Sequence, residues 1–375
     1  MNLDYTEVQQ ELRKVVREFM KRNYPPSRAR ELEDDTRGFD PGLWKQAADM
    51  GWMGWAIPQQ YGGLGGELMD VVVILEEMGR ACFLSPFLST ILCSFALTDG
   101  GSEEQKSECL PSLSRGDSIM SLAWAEPGAD YDISGIKTRA TGSKDGFTIS
   151  GTKFFVPHAA EAQRLLVVAR TGEESSAADG LSLFMVYAGS PGIQRIPLQT
   201  ISQEKQYEVV FDKTPAGRSA LIGGLSRGDV LVRSLQERAM VLKCAEMLGG
   251  ADWVMENCTT YAKERVQYGR PIGSYGIIQH YLADLWAEIS MARRLLYYAA
   301  WKLEKGMPCA REAAMVKCLF SDGYRRWTRT GVQIFGAIGT SREHDMGLYY
   351  RRAREAALTY GSPAWCRDRV ASFLQ

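Results

Sequence analysis

The sequence predicts an α+β chain in three parts: an N-terminal α-helical domain over residues 1–117, a central β-barrel or β-sandwich domain over 118–228, and a C-terminal four-helix bundle over 229–375. Three observations predict it. Residues 5–115 carry charged and apolar residues at helical spacing. From about residue 118 this gives way to short β-type runs separated by Gly, Asp and Ser clusters. From Asp229 four long helical stretches follow, enough for a bundle.

In the first part, Glu7–Lys21, Pro41–Met50 and Asp70–Arg80 read as helices. Tyr61-Gly-Gly-Leu-Gly-Gly66 reads as a loop, because no strand precedes it and its glycines miss the G-x-G-x-x-G spacing of a phosphate cradle. The strand-like runs of the second part are Phe147–Ser150, Phe154–Val156, Leu165–Ala169, Leu183–Tyr187 and Tyr207–Phe211. No helix of crossover length separates them, so antiparallel pairing is expected. Ser175–Asp179 reads as a surface loop. In the third part the helices are Asp229–Arg265, Ile277–Lys305, Cys309–Gly336 and Met346–Tyr360, with a short tail helix from Pro363.

A chain of 375 residues can bury a sizeable core in two or three domains. Its net charge of -1 gives no global field to attract nucleic acid or an anionic membrane. Apolar runs break too soon to span a bilayer, and the N-terminus shows no basic n-region followed by an apolar h-region. A cytoplasmic protein without a membrane partner is expected. The eight cysteines form no C-x-x-C pair and there are only three histidines, so no zinc site is expected and the thiols read as reduced and buried.

Residues 265–273, Arg-Val-Gln-Tyr-Gly-Arg-Pro-Ile-Gly, join two long helices. An Arg, an aromatic ring and a tight Gly-Arg-Pro turn place a cation and a flat surface at the junction, which suits an anionic aromatic ligand such as a flavin dinucleotide. Ala125-Glu-Pro-Gly-Ala-Asp-Tyr-Asp132 precedes the β part. Pro127 and Gly128 force a turn whose backbone N–H and C=O groups could bond the edge of a heteroaromatic ring, or could simply link two domains.

Together these stretches resemble the acyl-CoA dehydrogenase family, and the resemblance runs the length of the chain. Ala125–Asp132 resembles the family's T-E-P-x-A-G-S-D loop, with Ala125 in place of a Thr whose hydroxyl bonds the flavin and Asp130-Tyr131 in place of Gly-Ser. Gly151–His158 resembles G-x-K-x-W-I-T-N; Phe155 holds the place of the Trp that packs on the flavin, and Pro157 that of a bonding Thr. Arg265, Tyr268 and Gly269 match R-x-x-F-G, and Gln333–Gly339 resembles Q-x-x-G-G-x-G with Ala337 for one Gly. The family's Gln in the turn just ahead of Gln279-His280 falls on Gly276, leaving that contact in doubt. The resemblance implies FAD, held by Trp124, Ala125, Tyr131, Phe155, Val156, Pro157 and Ser362, with Arg265, Tyr268, Gln333 and Gly336 reaching a neighbouring subunit's cofactor. It also implies α,β-desaturation of an acyl-CoA, an electron-transferring flavoprotein as acceptor, and assembly as a homodimer, a homotetramer or an α2β2 pair with a similar chain.

The reaction needs a carboxylate to take the α-proton of the thioester. Where the family's C-terminal E-G-T is expected, this chain has Tyr360-Gly-Ser362. A phenol with an ordinary pKa near 10 is a poor base at pH 7. Some members carry the Glu on the first bundle helix, at a position that falls on Ala239 here; Glu237 lies two residues away, on a stripe with Val241, Cys244 and Leu248, and Glu246 lies further along. The base is then relocated to Glu237 or Glu246, or comes from elsewhere. Two alternatives follow: a base-lacking partner subunit of a hetero-oligomeric enzyme, and a flavin monooxygenase on the same fold. His158 reads as a strand-end residue, Asp99 as a turn residue, and His344, Asp345 and Trp327 as packing or turn residues.

Overall fold

A computed structural model describes residues 4–129, 131–172, 180–226 and 228–374. Asp130 and the Ser175–Asp179 loop lie outside the described residues. In chain order the helices are α1 (Glu7–Asn23), α2 (Pro26–Asp34), α3 (Pro41–Asp49), α4 (Leu68–Arg80), α5 (Phe87–Gly100) and α6 (Glu103–Ser114). The strands β1 (Met120–Ala123), β2 (Arg139–Ser143), β3 (Gly146–Pro157), β4 (Arg164–Arg170), β5 (Leu181–Tyr187), β6 (Ile193–Leu198), β7 (Gln206–Gly217) and β8 (Leu221–Ile222) follow. Then come α7 (Gly228–Glu264), a hairpin of β9 (Val266–Gln267) and β10 (Arg270–Pro271), α8 (Gly276–Glu304), α9 (Ala310–Phe335), α10 (Met346–Ala356) and α11 (Pro363–Ser372). The chain divides into two compact units: one of Met1–Glu31, Leu68–Phe83 and Met240–Gln375, the other of Leu32–Glu67 and Leu84–Ala239.

The all-helical unit starts at a capping box in which Thr6 accepts from the Gln9 amide and the Gln9 side chain accepts from Thr6 N. Leu12, Val16 and Met20 then bury one face of α1. α4 and α7 cross with backbones nearly touching. A Cβ added at Gly79 would lie 1.9 Å from the Glu246 carbonyl, and one at Gly249 would lie 1.7 Å from that of Glu76. These glycines are there for close approach. Beside the crossing lies a polar cluster: Tyr5 donates to Glu76 at 2.7 Å, Arg293 meets Asp252 at 2.5 Å, and Arg17 meets Glu77 at 2.7 Å. Burial pushes the Glu76 carboxyl up to about 7 against the pull of Arg293.

In the second unit one eight-stranded sheet runs β6-β7-β3-β2-β4-β5-β8, with β1 paired to β4. Most neighbours are antiparallel, as the absence of crossover helices leads one to expect. Two pairings correct that expectation, since β1 and β2 both run parallel to β4. For β1 this follows from where α5 delivers it: the Leu122 amide donates to Ser89 Oγ at 2.9 Å and Thr90 donates to the Met120 carbonyl at 3.2 Å. The two strand-like runs at Phe147 and Phe154 merge into the single long strand β3.

Two further corrections bear on the site. The turn at Arg265 is not Gly-Arg-Pro. Tyr268 and Gly269, with φ of 50° and 80°, form the two-residue turn of the β9–β10 hairpin. The helix read as Met346–Tyr360 ends at Ala356, so Tyr360 lies in a turn with φ 61°. None of the eight cysteines is in a disulfide, and seven of them are buried. No described helix is long and apolar enough to cross a membrane, and no described cluster of His, Cys, Asp and Glu could hold a metal ion.

Candidate active site

The sheet unit presents one aromatic face by means of a bulge. In β3, Lys153 pairs with Val209 and Val156 with Tyr207, so three steps on β3 match two on β7. The extra residue breaks the strand's alternation. Lys153 and Val156 are both fully buried, while Phe155, with φ 54°, turns outward and is 52% exposed. A regular strand would put Lys153 and Phe155 on the same face.

The Ala125 loop is bonded directly to this bulge. The Phe154 amide donates to the Ala125 carbonyl at 2.8 Å, and Lys153 Nζ donates to the Trp124 carbonyl at 3.0 Å. Lys153 also meets Glu126 at 2.6 Å, and Glu126 accepts from the amides of Lys137 (2.6 Å) and Thr138 (3.0 Å). Burial pulls the Lys153 ammonium down to about 8 against the attraction of Glu126. Burial also tends to raise the Glu126 carboxyl, but Lys153 and the amide donors outweigh it and the carboxyl ends below its ordinary value. Both shifts leave a charged pair at neutral pH. Both residues stand inside the two family-like motifs, at Ala125–Asp132 and Gly151–His158, and that position is the only sequence signal of their role.

Trp124 is buried, its Nε1 has no partner among the described residues, and its ring meets Tyr131 edge-on at 6.0 Å. Gln236 donates to the Tyr131 carbonyl at 2.8 Å, tying down the far end of the loop. Pro157 accepts at its carbonyl from Ser121. His158 follows the strand end as expected, buried at φ 49° against Phe39, and burial holds its imidazole down at about 4. It is neutral at pH 7.

The helical unit holds the remaining site residues. Arg265 follows directly on α7 and accepts the Ile272 amide at its carbonyl (2.8 Å), while its side chain and that of Tyr268 are exposed. Phe335 packs against Tyr261, one turn before Arg265, at 4.6 Å. This brings the Arg265 hairpin and the exposed Gln333 and Gly336 to the same end of the bundle. Tyr360 is buried, in a turn fixed by fully buried Lys317. Lys317 donates to Ser321 at 2.7 Å and to the carbonyls of Ala356, Ala357 and Gly361, each at 3.0 Å. Ser362 caps α11, accepting the Trp365 amide at 3.3 Å.

Of the carboxylates proposed as bases, Glu246 is held by Lys243 at 2.9 Å. Glu237 is half-buried, whereas Val241, Cys244 and Leu248 of its stripe are fully buried. Asp99 pairs with Arg238.

The residues of the sheet unit fit a planar aromatic group. Phe155 offers a ring face beside a loop rigidly held by the Lys153–Glu126 pair, with backbone rather than hydroxyl groups at Ala125 and Pro157. Such a fold and site define a flavoprotein oxidoreductase. Family models for the N-terminal, middle and C-terminal domains of acyl-CoA dehydrogenase match residues 6–117, 121–214 and 230–375. A short-chain-specific acyl-CoA dehydrogenase of Megasphaera elsdenii is 29% identical over 96% of both chains. The solved structure of butyryl-CoA dehydrogenase from the same organism superposes with a TM-score of 0.92 at 27% identity, covering 100% of each chain. A chain of the ChsE4-ChsE5 complex from Mycobacterium tuberculosis gives 0.91 at 26% identity, over 100% of this chain and 99% of that one. The chain belongs to the acyl-CoA dehydrogenase family, and with it to the FAD-dependent oxidoreductases. The comparisons favour neither the base-lacking subunit nor the monooxygenase.

Proposed function

We propose that this chain catalyses α,β-desaturation of an acyl-CoA thioester with Glu237 as its base. The full-length likeness to butyryl-CoA dehydrogenase carries the dehydrogenase reading, and the exposed aromatic face at Phe155 is consistent with it. Bound FAD would supply the acceptor for the hydride that leaves the β-carbon. The protein's part is to hold the flavin-facing loop rigid through Lys153 and Glu126, to place the acyl Cα beside a carboxylate, and to exclude water. Arg265 supplies a guanidinium suited to a diphosphate. Tyr360 occupies the usual base position but carries a phenol. Glu246 is held in an ion pair with Lys243 at 2.9 Å. Glu237 lies nearest the alternative base position of the family, two residues from Ala239 on the same helix. The electron acceptor would be an electron-transferring flavoprotein, the assembly a dimer, a tetramer or an α2β2 pair, and the setting the cytoplasm.

Anaerobic addition of butyryl-CoA to the purified flavoprotein should bleach the flavin band. Glu237→Gln should abolish bleaching while leaving flavin content intact, and Glu246→Gln should leave bleaching unchanged. If both variants bleach like the wild type, Glu237 is not the base. Bleaching that appears only when a second, Glu-bearing chain is added would support the partner-subunit reading, whose motive is the phenol of Tyr360 in the usual base position.

A further inference from the structure

Away from the residues assigned above, α9 and α10 enclose a cleft of about 460 Å³ lined by Asp322, Arg325, Arg326, Thr328, Arg329, Tyr350 and Arg354. Four of these seven side chains are guanidinium groups. Their partners account for only part of the charge. Arg326 meets Glu288 at 2.6 Å, and Asp322 is taken by Arg367 at 2.8 Å. Thr328 spends its hydroxyl on the Tyr324 carbonyl at 2.9 Å. Arg354 lies over the Tyr350 ring at 4.4 Å and bonds its hydroxyl, contacts that leave the charge uncompensated. The side chains of Arg325 and Arg329 are exposed, and their guanidinium groups have no hydrogen-bond or ion-pair partner among the described residues.

Arg325 and Arg329 stand one turn apart on the same helix face, where like charges destabilise a helix by a few tenths of a kcal/mol. An anion between them would reverse the sign of that interaction. Guanidinium forks match phosphate oxygens two at a time, and the cleft is within the usual volume range of small-molecule sites. Tyr350 and Arg354 add a flat wall on which a ring could stack. We propose that this cleft is a binding site for a small phosphate-bearing anion of the nucleoside diphosphate class, with Arg325, Arg329 and Arg354 as its ligands.

The test uses flavin-loaded protein, titrated calorimetrically with inorganic pyrophosphate and with ADP at constant ionic strength. Saturable binding is expected, with ADP tighter than pyrophosphate. Arg325→Gln/Arg329→Gln should weaken it at least about tenfold, since each charged hydrogen bond is worth about as much as a tenfold change. Both positions are exposed, so the variant should keep its fold, its flavin absorbance and its elution volume. The proposal is overturned if the wild type shows no saturable binding or if the variant binds equally well. Loss of flavin on substitution would assign the arginines to the cofactor's own diphosphate, and a changed elution volume would assign them to a subunit interface; either result also overturns it.

Discussion

Replacing Lys153 by Met tests the strut behind the site. The lysine is fully buried, and its ammonium bonds Glu126 at 2.6 Å and the Trp124 carbonyl at 3.0 Å. Met fills much the same volume, so the change removes charge and hydrogen bonds rather than packing. What remains is a buried carboxylate without its cation. Such a loss typically costs about 3–5 kcal/mol. The amides of Lys137 and Thr138 still hold Glu126, which sets the expectation at the lower end, about 3 kcal/mol. Glu126→Gln should cost at least as much, because it strands the ammonium and turns its amide NH2 toward one of the two backbone N–H groups that the carboxylate accepts. The double variant removes both charges, so it should be less destabilised than the sum of the singles by about 2 kcal/mol. Urea unfolding read by intrinsic fluorescence gives all three values, and the flavin-to-protein absorbance ratio should fall in parallel because Trp124 and Ala125 lose their anchor. A Lys153→Met cost below about 1 kcal/mol, or singles that simply add, would refute the claim that an ionised buried pair holds the loop.

Two pH dependences run in opposite directions and are best read as differences from the wild type. His158 is depressed from 6.5 to about 4, so the folded state binds fewer protons between those values; its contribution is full above 6.5 and lost as pH falls through 4, up to about 3 kcal/mol. His158→Gln should flatten that acid limb in pH-dependent urea titrations; an unchanged limb sinks the assignment. Glu76 is raised from 4.5 to about 7, so its contribution is full below 4.5 and lost as pH rises through 7. Glu76→Gln should therefore be more stable than the wild type at pH 8 by up to about 3 kcal/mol, with the advantage gone near pH 4; equal stability at pH 8 would count against it. Gly249→Ala would set a methyl 1.7 Å from the Glu76 carbonyl, a backbone atom that cannot rotate away. The expected cost is about 3 kcal/mol or more by overpacking, and a melting temperature within a degree of wild type would show that the helices part easily.

Much of the fold was legible because its signals are local. The change from helical to strand periodicity near residue 118 and back near 229 reflects side chains alternating at different periods, which sequence records directly. Individual motif positions were legible for the same reason, and Phe155, Arg265 and Gln333 were singled out on that basis. What failed was set by partners distant in the chain. The parallel pairing of β1 with β4 depends on where α5 leaves the strand. The end of α10 before Tyr360 depends on Lys317, 39 residues upstream of Ala356, collecting the carbonyls that a longer helix would have used.

The sequence by itself therefore determined the order of elements, the family and the chemistry a flavin-facing surface requires, because periodicity and motif spacing are properties of neighbouring residues. Only the tertiary structure decided that Phe155 points outward, that Lys153 and Glu126 form the strut behind it, and that Glu246 pairs with Lys243. Those outcomes rest on one extra residue in a strand pairing and on which charges burial brings within 3 Å of each other, and no local pattern encodes either.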